Sequence, residues 1–464
     1  MSTGFSYRSL EELLSQARSL GLELPFSANT RLLSEPFRFG KRTVANRLGT
    51  APMEGADSLA DGSPSELTRR RYIRAAEGGS GLIWFEAVSI VPEGRSSPGQ
   101  LLITRENADR FARLNSEIKA AGFRRHGFEP FLVMQANHSG RYSNPEGRPR
   151  PLAAYHNPYY EKLRPVDDGD IVSDEYLDAL ADSFGAAAKL AKDAGFDAFD
   201  VKCCHGYLLS ELTSAYTRKG RYGGSFENRV RMLRNALNAS KTQETDNFSV
   251  TARIGLYDGF KRPWGFGAKA DDSNSAVPEL SAVRHPAELP SPAPDPEEPM
   301  RLIKMLHEEF GIRALNLTMG NPYVTTHVTR PFDRGAYTPP EHPLAGLSRM
   351  ISGTGRVKRA FPELTVLASA PSYLRQYSDL YAAGAVEQGF CDGMLFGRMS
   401  FANPGFADQI LNEGRLDAKK VCVSCGKCGE LIRAHKPAGC VVRDSLFLPY
   451  YKEYLAESGK LHEN

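Results

Sequence analysis

The chain of 464 residues is 41% hydrophobic and 24% charged, and 58 Lys and Arg nearly balance 55 Asp and Glu for a net charge of +3. That apolar share excludes a disordered or fibrous chain, and near-neutrality without a long basic run argues against a nucleic-acid groove or an anionic-membrane surface. No run of about 18 apolar residues is present to cross a bilayer, and the start, Met1-Ser2-Thr3-Gly4-Phe5, lacks the basic-then-apolar design of a signal peptide. Seven clustered cysteines suit a reducing compartment. The expectation is a soluble cytoplasmic enzyme.

In chain order, residues 1–30 read as an N-terminal extension with one amphipathic stretch at 10–20. From about residue 47, β-rich runs alternate with longer amphipathic stretches. The predicted strands are 47–51, 81–88, 130–134, 198–202, 249–254, 314–318, 364–369 and 393–396. Helical patterns lie between them, such as 176–194 closing on Gly195 and 299–310 closing on Gly311. Glycine suits the left-handed position after a helix. Eight strand–helix repeats are the grammar of a (β/α)8 TIM barrel of the α/β class. A doubly wound open sheet competes, but no Gly-rich dinucleotide fingerprint follows any strand. A long insertion at 257–298 follows the fifth strand. It ends in a Pro-rich run (Pro286, Pro290, Pro292, Pro294, Pro296, Pro299) too irregular for helix or strand. A loop of that length at a strand end suits a lid or a pocket wall, or else a solvated insertion.

The C-terminal segment reads Cys422-Val-Ser-Cys425-Gly-Lys-Cys428, with Cys440 after eleven intervening residues. Four thiolates satisfy either a tetrahedral zinc or one [4Fe–4S] cubane. Three cysteines crowded together, with one distant fourth, suit three corners of a cube and a closing ligand. Zinc ribbons tend instead to present two separated pairs. Cys203, Cys204 and Cys391 fit no metal spacing and read as barrel core.

In a barrel of this kind the chemistry collects where strands end. Polar residues and glycines stand there: Met53-Glu54, Glu86-Ala87, Gln135, Lys202 to His205, Arg253, Asn316 to Thr318, Ser369-Ala370 and Gly397-Arg398. Each has a dull explanation taken singly; together they describe a ring of donors around one cavity. The last two strands are where barrels commonly hold phosphate, so a phosphorylated cofactor is expected. The densest group is Asp200-Val201-Lys202-Cys203-Cys204-His205-Gly206-Tyr207. A Lys and a His there could grip one substrate oxygen while the phenol donates a proton; the alternative is a surface Lys and a core Tyr. Ser225 in Tyr222-Gly-Gly-Ser-Phe-Glu-Asn228-Arg229 is placed as a helix N-cap.

These residues carry a resemblance. Ala51-Pro52-Met53, Gln135-Ala-Asn-His138-Ser-Gly140-Arg141, Lys202-Cys-Cys-His205-Gly-Tyr207, Tyr222 to Arg229, Ala252-Arg253, and Phe396-Gly397-Arg398 with Asn403-Pro404 stand in the order of the old yellow enzyme family. The chain resembles that family of FMN-dependent oxidoreductases over roughly 32–445. It is most similar to the iron–sulfur branch with 2,4-dienoyl-CoA reductase and trimethylamine dehydrogenase. The resemblance implies that Pro52, Met53 and Ala87 line the flavin ring, Gln135 bonds its pyrimidine edge and Arg253 sits near N1. Gly397 and Arg398, with the backbone at Ser369 and Ala370, would hold the phosphate. Tyr207 matches the family's proton donor, while Lys202 and His205 fall where a His and an Asn, or two His, grip the substrate carbonyl. Cys422, Cys425, Cys428 and Cys440 match the cluster loop.

Three departures from the family pattern stand out. Lys202 puts a fixed positive charge where a neutral donor is usual, and Glu54 puts an acid where small polar groups are common. The chain also stops about two dozen residues after Cys440, short of the FAD- and nucleotide-binding domains of the larger relatives. The domain expectation is an extension at 1–30, an FMN-binding barrel at 31–417 and an iron–sulfur segment at 418–464. The functional expectation is a reductase of an activated C=C bond in a small-molecule substrate. The cluster would relay electrons from a ferredoxin-like protein or a reductase subunit, with NADH or NADPH as the alternative reductant. A flavin-dependent amine or alcohol dehydrogenase exporting electrons through the cluster is the runner-up, and a non-catalytic redox relay is the third possibility. A homo-oligomer is compatible with each. The segment 321–334, with His327 and Arg330, is the other candidate for shaping the pocket.

Overall fold

The computed structural model describes residues 4–270 and 278–459. Its first strands form a hairpin that the sequence pattern did not reveal, β1 Phe37–Phe39 against β2 Arg42–Val44. Eight parallel strands follow: β3 Leu48–Thr50, β4 Leu82–Ser89, β5 Phe131–Asn137, β6 Ala198–Cys203, β7 Ser249–Gly255, β8 Ala314–Thr318, β9 Thr365–Ser369 and β10 Gly393–Phe396. They close in the order β10-β3-β4-β5-β6-β7-β8-β9. Each coincides with one of the eight predicted runs, so the chain is a (β/α)8 barrel.

Closure leaves no sheet edge, and helices cover the outside. The strands are therefore buried on both faces and read as continuous apolar runs; β4, Leu-Ile-Trp-Phe-Glu-Ala-Val-Ser, is buried throughout. The β1–β2 hairpin supplies Phe37, Phe39 and Val44 to a cluster with Leu82, Trp84, Phe131, Val133, Ala198 and Leu367 from the strand starts. That plug shuts one end of the barrel, so the opposite rim carries the opening.

Helix ends follow local chemistry. Ser173 accepts from Tyr176 N and starts helix Asp174–Asp193 two residues before the predicted boundary, and Gly195 ends it at φ 79°. The predicted helix at 299–310 begins earlier, as Glu297–Lys304, and widens into a π turn at Met305–Glu309. The stretch at 10–20 forms helix Leu10–Ser19, with Leu13 and Ala17 packed beneath it. No helix among the described residues is long and apolar enough to cross a membrane.

Residues 271–277 of the insertion lie outside the described residues. Elsewhere it forms short turns at Pro278–Ala282 and Pro286–Glu288. It is tied down where Tyr257 Oη donates to Pro292 O and where His285 stacks on Tyr337 at 4.2 Å. The cysteine segment is docked on the barrel. Ala438 N donates to Gly55 O at 2.7 Å, His435 Nε2 pairs with Asn144 Nδ2 at 2.8 Å, and Arg70 and Arg74 each reach Asp444 at 2.7 Å.

The buried Arg141–Glu211 pair braces the helix that follows Tyr207. Arg141 donates to Glu211 Oε1 from Nε at 3.0 Å and from Nη2 at 2.5 Å, and also to Tyr155 O at 2.6 Å. Breaking a buried pair strands the surviving charge, which costs about 3–5 kcal/mol. Arg141→Leu is therefore expected to lower unfolding free energy by that order in a urea titration. Arg141→Leu with Glu211→Leu is expected to recover much of the loss.

Candidate active site

Because all eight strands point the same way, their last residues share one rim. The three residues expected to be catalytic and the nine expected to bind cofactor all line one cleft there: Pro52, Met53, Ala87, Gln135, Lys202, His205, Tyr207, Arg253, Ser369, Ala370, Gly397 and Arg398. Glu54 joins them, as do Pro322, Tyr323 and Thr329 of the candidate segment 321–334 and four residues that sequence patterns did not single out, Ser372, Gly429, Ile432 and Arg433. Of the two candidates in 321–334, Arg330 lines the cleft. His327 does not; its Nδ1 pairs with Tyr337 Oη at 2.8 Å behind the wall. No described residue of the 257–298 insertion lines the cleft either. Instead, its Ala287 packs with Phe332 and Tyr337, backing the segment that does.

Two strand ends turn through left-handed non-glycine backbone, His205 at φ 69° and Ala370 at φ 72°. Such conformations are costly and persist only where surrounding structure enforces them. The turn at His205 brings Lys202, His205 and Tyr207 to one wall. Lys202 pairs in register with Arg253, and its ammonium sits 3.8 Å from the centre of the Tyr207 ring, a cation–π contact. Burial lowers the Lys202 pKa to about 8, partly countered by Cys204 and Glu54. Burial, then Arg253 and Lys202, hold His205 well below the usual imidazole range, with Nε2 3.3 Å from Thr318 Oγ1. A neutral imidazole offers one N–H donor without charge. Burial also raises the Tyr207 phenol well above its ordinary value, so it stays protonated. Glu54, accepting from Ser96 Oγ, is raised by burial and opposed by that bond and by Lys202.

Gln135 has a fixed orientation. Its Nε2 donates to Asp200 at 2.7 Å, beside Trp84 Nε1 at 2.8 Å. Its carbonyl is thus available to accept from an N–H in the cleft. Asp200 is raised to about 6 by burial, against those two donors. Arg253 is buried, and its Nε has no hydrogen-bond partner among the described residues. An orphaned buried donor is costly unless a ligand supplies the acceptor. On the opposite wall Arg398 Nη2 donates to Pro331 O at 2.7 Å and Met399 N donates to Ser372 Oγ at 3.2 Å, bracing the turn at Gly397.

The loop carrying Pro52, Met53 and Glu54 is fastened by Glu86, which accepts from Gly55 N at 2.7 Å and from Arg71 and Tyr72. Cys203, Cys204 and Cys391 are buried. Ser225 caps Phe226–Arg229 by accepting from Asn228 N.

Residues 32–273 match the NADH:flavin oxidoreductase / NADH oxidase family, which is more than half of the chain. The chain belongs to that family. Among curated relatives, an NADPH dehydrogenase of Bacillus pumilus is 36% identical over 215 residues, 45% of this chain and 60% of the relative. An NADPH dehydrogenase of Clostridium acetobutylicum is 32% identical over 231 residues, 48% of this chain and 64% of that one. The chain thus spans about 60% of the length of such relatives. Among solved structures, a 2-naphthoyl-CoA reductase complex superposes with TM-score 0.70 at 18% identity, covering 92% of this chain and 58% of the other. An old yellow enzyme homologue from Zymomonas mobilis gives 0.59 at 21%, covering 85% and 96%. Histamine dehydrogenase from Rhizobium sp. 4-9 gives 0.64 at 19%, covering 89% and 52%. These structural likenesses show the fold.

The cleft residues fit the family's flavin. Lys202, Arg253, Arg330, Arg398 and Arg433 face a single carboxylate, Glu54, which favours an anionic occupant. The Gln135 carbonyl and the orphaned Arg253 Nε complement a polar ring edge. Losing a charge-assisted hydrogen bond costs about 1.5–3 kcal/mol, so Arg253→Met is expected to weaken FMN retention by about tenfold to a hundredfold. Fluorescence titration of apoprotein with FMN checks it; unchanged affinity would remove Arg253 from the flavin site.

The four C-terminal cysteines share one neighbourhood. The Cys428 thiol is raised by burial and by Cys422 and Cys425, and that of Cys440 by burial and by Cys422 and Cys428. Among the described residues no group of three or more His, Cys, Asp or Glu is drawn close enough to hold a single metal ion. Arg330 lies close enough to Cys428 and Cys422 for their charge to act on its guanidinium.

Proposed function

We propose that the chain is an FMN-dependent ene-reductase acting on the activated C=C bond of an α,β-unsaturated carbonyl or carboxylate compound. The observation that carries this is the wall of Lys202, His205 and Tyr207, where two donors and a protonated phenol stand together. Bound FMN supplies hydride chemistry. Lys202 and His205 grip the substrate's carbonyl or carboxylate oxygen and stabilise the negative charge that develops on it, which makes the β-carbon electrophilic. The Tyr207 O–H delivers a proton to the α-carbon. Family membership supports NADH or NADPH as the reductant.

The test is to photoreduce the holoprotein anaerobically and add enones, enoates and enoyl thioesters while following flavin absorbance. Reoxidation by one of them is the expected result. A flavin that stays reduced with all of them, but is bleached in its oxidised form by an amine or alcohol, would replace this proposal with the dehydrogenase. The cleft disfavours a cationic amine, because the Lys202 ammonium already lies on the Tyr207 face.

Lys202 acts only when protonated. With its pKa lowered to about 8, charge at the oxygen is present below that pH and lost as pH rises through it. The rate of flavin reoxidation is expected to fall above about pH 8 in wild type. Lys202→Arg is expected to hold its rate to higher pH, because guanidinium stays charged. A profile flat through pH 8 in wild type contradicts the assignment.

We assign 1–30 as an extension, 31–417 as the FMN-binding barrel and 418–464 as a segment whose Cys422, Cys425, Cys428 and Cys440 hold a [4Fe–4S] cluster. That cluster would relay electrons to the flavin from a ferredoxin-like protein or a reductase subunit. Anaerobically prepared protein is expected to contain iron and acid-labile sulfide in equal amounts, and Cys440→Ala to lose both. Zinc in place of iron would overturn this assignment and leave the barrel chemistry standing.

A further inference from the structure

Tyr207 is not alone. Its hydroxyl lies 2.6 Å from that of Tyr323, and both residues line the cleft. Tyr207 is 4% exposed, whereas Tyr323 is half-buried. Tyr323 is also held in place. Its N–H donates to Asn321 Oδ1 at 2.8 Å, Asn321 N donates to Thr325 Oγ1 at 2.8 Å, and Thr325 Oγ1 donates to Asp258 O at 3.0 Å. Its ring stacks on Tyr142 at 4.0 Å and 20°, and Tyr142 Oη accepts from Asn321 Nδ2 at 2.9 Å. An exposed loop Tyr needs none of this bracing.

The chemistry explains the pairing. A proton donor buried as deeply as Tyr207 leaves a phenolate in a water-poor site, which is unfavourable unless the charge is compensated or passed on. We propose that Tyr323 is a positioning and proton-relay residue that refills Tyr207 during protonation of the substrate. This inference rests on the ene-reductase proposal.

As the Tyr207 O–H bond breaks and the new C–H bond forms at the α-carbon, the Tyr323 O–H bond breaks and its proton forms the new O–H on Tyr207. The negative charge moves to Tyr323, nearer the solvent, where water returns a proton. The net consumption is one hydride, from the reduced holoprotein, and one proton from water per C=C bond. Lys202, over the Tyr207 ring, lies where it stabilises the transient charge. Burial is the largest influence opposing phenolate formation at both hydroxyls, Glu54 and Tyr142 oppose it further, and Arg164 and the hydrogen bond to Tyr207 favour it at Tyr323, so the charge there is transient.

The test uses anaerobic, photoreduced holoprotein mixed with cyclohex-2-enone, crotonate and crotonyl-CoA in light and heavy water. Tyr323→Phe keeps the ring and its stacking and removes only the relay oxygen. Its flavin reoxidation is expected to slow on the order of tenfold to a hundredfold, less than the 10²–10⁴ a general acid contributes. Its solvent isotope effect and pH profile are expected to change, while flavin content and reduction by NADPH stay at the wild-type level. Tyr207→Phe/Tyr323→Phe is expected to be no slower than Tyr207→Phe alone, since the two act as a unit. A Tyr323→Phe protein as fast as wild type overturns the relay. So does one that is slower with its isotope effect and pH profile unmoved, because that is positioning alone. If all three acceptors leave the wild-type flavin reduced, the ene-reductase proposal falls and takes the relay with it.

Discussion

Five basic side chains converge on a cleft that holds one carboxylate. Lys202 and Arg253 rise from β6 and β7, Arg398 from the end of β10, Arg330 from the loop after β8, and Arg433 from the cysteine segment. Like charges in a water-poor site repel; burial chiefly lowers the pKa of Lys202 to about 8, with Arg253 adding to it against Cys204 and Glu54, and burial with Arg398 and Arg433 lowers that of Arg330 to about 10. Such a cleft is held together by the rest of the fold rather than by its own contacts. An anionic occupant relieves the repulsion, which links the binding of a flavin phosphate to the stability of the whole rim.

That burden explains the design of the surrounding walls. Glu86 is fully buried, and burial raises its carboxyl, yet it is retained between Arg71, Tyr72 and the Gly55 amide. The network fixes the loop of Pro52, Met53 and Glu54 from behind. Arg141 and Glu211 do the same for the turn that carries His205 and Tyr207. On the far side Tyr337, Phe332 and the Pro-rich insertion back the segment carrying Tyr323 and Arg330. Functional side chains thus sit on strand ends and short turns whose orientation is set by buried ion pairs and aromatic packing one layer out.

Much of the rim was legible because period and position were both explicit. The eight strands are buried on both sides, so each stands out as a short apolar run ending in polar residues or glycine. Arg253 and Gln135 are conspicuous for the same reason: each interrupts or ends such a run. The segment 321–334 was legible as a pocket candidate, but Tyr323 carried no signal of its own within it, since it lies in an irregular loop. His327 and Arg330 are three residues apart, within and at the end of the short helix Thr326–Thr329, and only packing sent Arg330 into the cleft and His327 against Tyr337. The β1–β2 hairpin was missed because three-residue strands are too short for a period to show.

The sequence by itself determined the alternation of strand and helix, the family to which the barrel belongs, and the residue types at each strand end, because local propensity and burial act over a few neighbouring positions. Only the tertiary structure decided that helix Lys427–Arg433 reaches the same cleft as β3, placing Gly429, Ile432 and Arg433 beside Met53 and Arg330. It alone decided that the Tyr207 and Tyr323 hydroxyls meet. Those residues are 116 positions apart, and no local pattern encodes a contact made by barrel closure. The physical reason is that closing a parallel barrel gathers every strand end onto one rim, and which loop side chains then face inward is settled by packing across that rim.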